Sequence, residues 1–385
     1  MKATLGLLLT VFLVACGGGG GSETATQPPQ ARADNVVALT VEAGPGNNIN
    51  IPYVTVTVCI PGSASCQTIE RVLVDTGSTG LRLLASALTS VKLPAQTTST
   101  SNTVVECGQF INFVTWGPVK VADVLIGDKR ANSVPIQVVA DPAYNVIPHS
   151  CGRADLAATS TDDLGANGVL GVGLFVNDGQ IYYDCNPTSR FNDCPVNLTA
   201  AQQVQNPVAL FASDNNGVVL QLPAVAAGGV VRVDGQMVFG IDTQPNNRLG
   251  NAKVIQTDAS GFFTTTYKGV ALRNSFIDSG SNGLYFDDAA LAQCPSNPGF
   301  YCPPITQSLS ATMTLKSNAT DIVRFDVANA ATLIASPNWV FNSLAGPSGD
   351  GFDWGLPFFL GRSVYTVIEG RSTSAGPGPL YAYTN

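Results

Sequence analysis

Apolar and polar residues alternate along most of the chain with a period of two, the spacing of a strand with one buried face. Tyr53–Val58, written YVTVTV, is the clearest case. Glu70–Val74, Val119–Ile126, Val134–Val139, Val218–Leu222, Val230–Phe239 and Phe262–Leu272 follow the same pattern. Clusters of Gly, Pro, Asn and Asp separate them and read as turns. The longer period of an amphipathic helix is rare. Only Asp287–Ala292 and Thr199–Gln203 are short helical candidates. The pattern predicts an all-β chain of many short strands.

The first residues break this pattern. After Lys2, the apolar run Leu5–Ala15 is too short for a stable membrane anchor but fits the core of a signal peptide, residues 1–15. Leu13-Val14-Ala15-Cys16 resembles a bacterial lipobox, in which Cys16 becomes the lipidated end of the mature chain. The competing reading is ordinary cleavage after Ala15 with a chance Cys beside it. Residues 16–35 carry a Gly run and too little apolar content to fold alone, so they read as a lipid-attached flexible tether. Gly17 after the Cys resembles the outer-membrane sorting pattern. The expectation is an exported lipoprotein of a bacterial outer membrane, a monomer that touches the membrane only through its lipid.

Charge and cysteine usage narrow the chemistry. Charged residues make up 12% of the chain and the net charge is −8, without a basic cluster. Nucleic acid is therefore not an expected partner. Of nine Cys, setting Cys16 aside leaves an even number, as expected for disulfides in an exported chain. Cys59/Cys66, Cys185/Cys194 and Cys294/Cys302 are neighbours in sequence, leaving Cys107 and Cys151; sequence does not settle the connectivity. His149 is the single His and no CxxC occurs, so no metal site is expected. The same scarcity removes most Ser-His-Asp and Cys-His mechanisms, and no GxSxG elbow is present. No cofactor is implied.

An internal repeat carries the strongest signal. Val72–Leu81 reads VLVDTGSTGL, and Phe276–Leu284, about half the chain further on, reads FIDSGSNGL. Aligned on Asp75 and Asp278, the Gly, Ser, Gly and Leu positions are identical, and Thr76 and Ser279 both keep a hydroxyl. One such tetrapeptide is most simply a turn, since all its residues are turn formers. Two copies, each after apolar residues and each opening one half, suggest a facing pair. Two carboxylates brought together cannot both ionise easily, so they share a proton and can activate a water. Gly77 and Gly280 allow a tight turn with backbone N–H groups aimed at the carboxylates. Ser78 and Ser281 can donate to their Asp, and Thr76 and Ser279 can bond across the interface.

These residues resemble those of the pepsin-like aspartic peptidases, whose two lobes each carry a D-[ST]-G-[ST] loop. Asn167–Gly173, Met237–Asp242 and Trp354–Val367 are similar to further segments of that family, so the resemblance extends over most of residues 50–385. The chain is also similar to a bacterial lipoprotein family of uncharacterised function with pepsin-like features. The resemblance implies a bilobal pepsin-like acid-protease fold, with two pseudo-twofold-related β-barrel-like lobes and a cleft between them. It assigns residues 36–205 to the N-terminal lobe and 206–385 to the C-terminal lobe. It further implies an Asp75/Asp278 catalytic dyad and an extended polypeptide substrate. Three places depart from the family pattern. Cys107, followed by Gly108, stands where the flap usually has Tyr, with Trp116 either the alternative cover for the cleft or a core aromatic. Gly355-Leu356-Pro357 puts Pro at an expected Gly. Arg82 stands where relatives often have Trp. Two functions follow: an envelope-anchored endopeptidase, or a catalytically weak or inactive peptide-binding lipoprotein on the same fold. A purely architectural repeat in a structural lipoprotein is the third.

Overall fold

The computed structural model describes residues 33–99, 101–152, 154–184 and 194–384. The signal peptide, Cys16, nearly all of the tether and Cys185 lie outside these residues. Asp34–Asn385 forms one compact unit.

In the first half the strands are β1 Val36–Glu42, β2 Ile51–Cys59, β3 Cys66–Asp75, β4 Thr79–Leu84, β5 Val104–Gln109, β6 Val114–Ile126, β7 Lys129–Val139, β8 Gly168–Val172 and β9 Ile181–Asp184. The second half begins with β10 Gly217–Leu222, β11 Val233–Phe239, β12 Lys253–Gln256, β13 Phe263–Tyr267, β14 Val270–Ile277 and β15 Leu284–Tyr285. It continues with β16 Gln293–Cys294, β17 Asn297–Tyr301, β18 Gln307–Thr314, β19 Thr320–Val327, β20 Ala345–Gly346 and β21 Asp353–Trp354. It ends with β22 Arg362–Val367, β23 Ser372–Thr373, β24 Gly376–Pro377 and β25 Leu380–Thr384. The described helices are single turns, Thr161–Leu164, Ala330–Ile334 and Leu356–Phe359, with a few 3-10 turns. None is long and apolar enough to cross a membrane.

Fourteen strands form one sheet, in the order β12-β25-β22-β10-β11-β1-β2-β3-β8-β4-β7-β6-β5-β9. Because β2 also pairs with β6, the strands β2, β3, β8, β4, β7 and β6 close on themselves as a barrel. Closure removes two exposed edges and buries an almost purely aliphatic interior. A second sheet, β19-β18-β13-β14-β21-β15-β20, is built wholly from the second half and packs an aromatic core of Tyr267, Phe286, Phe325, Phe352 and Trp354. The architecture is the bilobal, all-β acid-protease fold. Strand β1 lies between β2 and β11, so one strand from the start of the described chain is hydrogen-bonded to both halves.

Three expectations from periodicity change. Phe262–Leu272 is a hairpin, β13 and β14, because Lys268 and Gly269 both take positive φ (48° and 80°) and turn the chain in a two-residue loop. Asp287–Ala292 is a turn, in which the Asp288 carboxylate accepts from the Ala290 N–H, the Tyr267 hydroxyl and Lys268. A carboxylate that gathers local donors competes with helix formation. Thr199–Gln203 shrinks to the 3-10 turn Ala200–Gln202, closed by a reciprocal Thr199–Gln202 capping box.

Candidate functional site

Both Asp loops leave a buried strand at its end. Strand β3 runs parallel to β8, with Leu73, Val74 and Asp75 beside Val169, Leu170 and Gly171. Strand β4 then returns antiparallel along β8, so the loop is clamped on both sides. The second half repeats the device. Strand β14 runs parallel to β21, with Phe276 and Ile277 beside Asp353 and Trp354, and β15 returns along β21. The DTGS and DSGS turns are thus fixed by ladders within each lobe.

The two turns also bond to each other. Ser279 N–H donates to Thr76 Oγ1 at 2.9 Å, and Thr76 N–H donates to Ser279 Oγ at 3.1 Å. Each hydroxyl then donates to the opposite strand, Thr76 to the Ile277 carbonyl at 3.2 Å and Ser279 to the Val74 carbonyl at 2.7 Å. Thr76 and Ser279 are essentially buried, so these four bonds are shielded from water.

Asp75 and Asp278 meet in front of this clasp. Asp75 accepts from the Gly77 N–H at 2.8 Å and from the Ser78 hydroxyl at 2.5 Å. Asp278 accepts from the Gly280 N–H and the Ser281 hydroxyl, both at 2.8 Å, and from Gly77 N–H at 3.1 Å. The Gly77 amide therefore bonds both carboxyls, which places them side by side. A Cβ on Gly77 would lie 2.6 Å from Asp278 Cγ, and one on Gly280 would lie 2.8 Å from Asp75 Cγ. Only glycine lets the opposite carboxyl approach this closely. Burial, then the charge of Asp75, then that of Asp353 push the Asp278 carboxyl well above the usual carboxylate range. Such an arrangement holds one proton between two oxygens and can bind and polarise a water or a carbonyl. Among the described residues, no three His, Cys, Asp or Glu side chains are placed to hold a metal ion.

The candidate flap is the β5–β6 hairpin, and its anchoring differs from expectation. Cys107, which stands in place of the flap Tyr, is joined to Cys151, the other cysteine left without a sequence neighbour, in a buried cross-link. Trp116 is not a cleft cover: it packs in the core formed by Val105, Cys107, Cys151 and Tyr183, edge-on to Tyr183 with ring centroids 5.2 Å apart. Gly108 sits against Thr115 and Arg82. Disulfides also join Cys59 to Cys66 and Cys294 to Cys302. Cys194 is disulfide-bonded.

Two features escaped sequence reading. Arg82, almost fully buried, pairs with Glu106 of the hairpin at 2.5 Å and with Asp178 at 2.7 Å. Its guanidinium also lies 5.4 Å over the ring of Phe110. The second is Asp353. Strand register aligns Asp353-Trp354-Gly355 with Val169-Leu170-Gly171, so Gly355 fills the expected glycine position and Pro357 lies beyond it. The departure is Asp353, a carboxyl where the first lobe has Val169. Aligning the two halves on Gly171 and Gly355 would have exposed it in the sequence.

In fold, the chain is similar to the crystal structure of an aspartic proteinase from Irpex lacteus, with a TM-score of 0.54 and 14% sequence identity over 91% of this chain and 96% of that one. No curated protein matches the sequence. Residues 31–383 match the profile of the family described as protein of unknown function (DUF3443), and the chain belongs to that family.

Proposed function

We propose that the chain is an aspartic endopeptidase that hydrolyses extended polypeptide with Asp75 and Asp278. The observation that carries this reading is the Gly77 amide bonded to both carboxyls inside a reciprocal Thr76–Ser279 clasp. A pair of ordinary turns has no need of either.

In this mechanism the pair carries one proton and titrates as a unit. Asp278, whose carboxyl burial and then the neighbouring Asp75 charge push up, holds it. A water lies between the two carboxyls. Asp75, held by the Gly77 amide and the Ser78 hydroxyl, takes a proton from that water as its oxygen attacks the scissile carbonyl carbon. Asp278 gives its proton to the carbonyl oxygen. Collapse of the tetrahedral intermediate breaks the C–N bond, and the departing nitrogen takes the proton from Asp75. The intermediate's hydroxyl proton returns to Asp278. Preorganised donors around the carboxylates mean that little reorganises as charge moves. The lipobox-like start of the chain supports envelope attachment as part of the same proposal.

A peptide-binding lipoprotein is the second reading. The cross-linked Cys107 favours it, because the hairpin lacks the flap's usual Tyr at that place.

The deciding experiment offers an unfolded protein substrate to the purified chain between about pH 3 and 7. Cleavage that is blocked by pepstatin and falls by about 10²–10⁴-fold or more in both Asp75→Ala and Asp278→Asn is the expected result. Peptide binding without cleavage supports the second reading. Cleavage that survives both substitutions sinks the dyad.

A further inference from the structure

Asn50 belongs to the first half of the chain, one residue before β2, yet its side chain reaches into the second. Its Nδ2 donates to the Asn282 carbonyl at 2.7 Å and to the Phe341 carbonyl at 2.9 Å, and its Oδ1 accepts from the Phe341 N–H at 2.7 Å. Two carbonyls facing one end of the amide and an N–H facing the other admit a single orientation of the group. The Asn50 N–H adds a fourth bond between the halves, to the Trp339 carbonyl at 2.9 Å. The residue is fully buried, so an amide without these partners would lose its hydration uncompensated. Its φ of 56° lies in the left-handed region, where Asn is one of the few side chains found readily.

The bond to Asn282 falls inside the second Asp loop. Asn282 follows Ser281, whose hydroxyl donates to Asp278 at 2.8 Å. The same place in the first loop, four residues after the Asp, is Thr79. Its carbonyl is also held by a buried side chain, since Arg82 Nη1 donates to it at 2.7 Å. The two loops therefore share one device built from unlike residues. Arg82 stands three residues beyond Thr79 and ties the first loop to its own half. Asn50 lies 232 residues from Asn282 and ties the second loop to the opposite half. That half carries Asp75: β2 pairs with β3, with Tyr53 and Val54 beside Leu73 and Val72. The Thr76–Ser279 clasp joins the loops only next to the Asp residues. Attachment at one place sets a separation and leaves the far end of the loop free to swing. Attachment at a second, beyond Ser281, sets the direction as well.

We propose that Asn50 is a positioning residue that holds the Asn282 carbonyl and so keeps Ser281 aimed at Asp278. Its part in cleavage rests on the peptidase reading; its hold on the Asp278 loop does not. Without that hold the Ser281 hydroxyl drifts from Asp278, and a carboxylate that loses a donor titrates at higher pH.

The test follows the Asp278 carboxyl by ¹³C NMR titration of the purified chain from about pH 3 to 10, beside cleavage of unfolded casein. Asp278→Asn assigns the signal. Asn50→Gly keeps the positive φ and removes the side chain. Asn50→Asp keeps the shape and the acceptor for Phe341 but exchanges the donating amide for a carboxyl. Asn35→Ala is the control: Asn35 is another buried asparagine bonded across the halves, to the Phe239 carbonyl at 2.9 Å and to Asn246, and none of its bonds reaches an Asp loop. Asn50→Gly should raise the Asp278 midpoint by about one pH unit, the worth of one hydrogen bond to a charged group. It should lower kcat roughly 10-fold with KM nearly unchanged. Asn35→Ala should lower the melting temperature and leave both quantities where they are. In Asn50→Asp the loss of kcat should be smallest near pH 3, where the introduced carboxyl is protonated and still donates, and should grow toward pH 7, where two carbonyls face a carboxylate. If the titration moves as described but casein stays intact even with the wild type, the peptidase reading falls and this one stands. An Asp278 midpoint that is unmoved in Asn50→Gly, or moved as far by Asn35→Ala, overturns the proposal whether or not cleavage occurs. Where Asn50→Gly fails to fold, Asn50→Asp decides, and an Asp278 midpoint that matches the wild type in that variant overturns it equally.

Discussion

Gly77 owes its identity to a residue from the other end of the chain. Its missing side chain is the space that the Asp278 carboxyl occupies. Gly77→Ala should push the loops apart and cut kcat/KM by at least about 100-fold, the scale of a small misplacement of catalytic groups. Gly349→Ala, which faces open space, should leave both activity and melting temperature within error. A second expectation concerns pH. The Asp278 carboxyl is raised in the folded state, so its protonated form supports folding at pH below the ordinary carboxylate range, and that support is lost as pH rises through the raised value. Asp278→Asn should therefore gain stability over the wild type as pH rises above about 4, read as a melting-temperature difference that grows with pH. A difference that shrinks instead would mean that the carboxyl is not raised. At this scale the Asp, Gly and hydroxyl positions were legible, because a short motif repeated in both halves advertises itself. Asp353 was hidden by a two-residue error in aligning the late segment, which only the β14–β21 register corrects.

The element that departs furthest from its expected anatomy is the β5–β6 hairpin. Two devices hold it where an aromatic side chain was expected. One is the Cys107–Cys151 bond; the other is Arg82 between Glu106 and Asp178. Arg82 Nε and Glu106 Oε2 have no hydrogen-bond partner, so this buried cluster is incompletely satisfied. Removing the cation alone leaves two buried acids, and Arg82→Met should cost about 3–5 kcal/mol in denaturant unfolding. A cost below about 1 kcal/mol would show that the acids take up protons and relax without loss. Replacing Cys107 and Cys151 together by Ala should cost about 2–4 kcal/mol. If this hairpin positions substrate, the double variant should also raise KM more than it lowers kcat. Arg82, Glu106 and Asp178 are far apart in sequence and share no motif. Nothing local marks them as partners.

Across the whole molecule, the Thr76–Ser279 clasp, the paired carboxyls and β1 all join the two halves. Strand β1 bonds β2 on one side and β11 on the other. A chain beginning at residue 43 should therefore melt well below one beginning at residue 33, with both halves affected, as differential scanning calorimetry would show. Independent loss of one half alone would contradict the shared strand. Alternation of apolar residues, turn chemistry and the doubled Asp motif are properties of neighbouring residues, so the sequence by itself determined an all-β chain with two matched carboxylate loops. Distance between loops, the state of Cys107, the burial of Trp116 and Arg82, and the place of Asp353 depend on which distant strands lie side by side. Tertiary structure alone decided these, because solvent exclusion and charge coupling act between groups that the chain brings together only when folded.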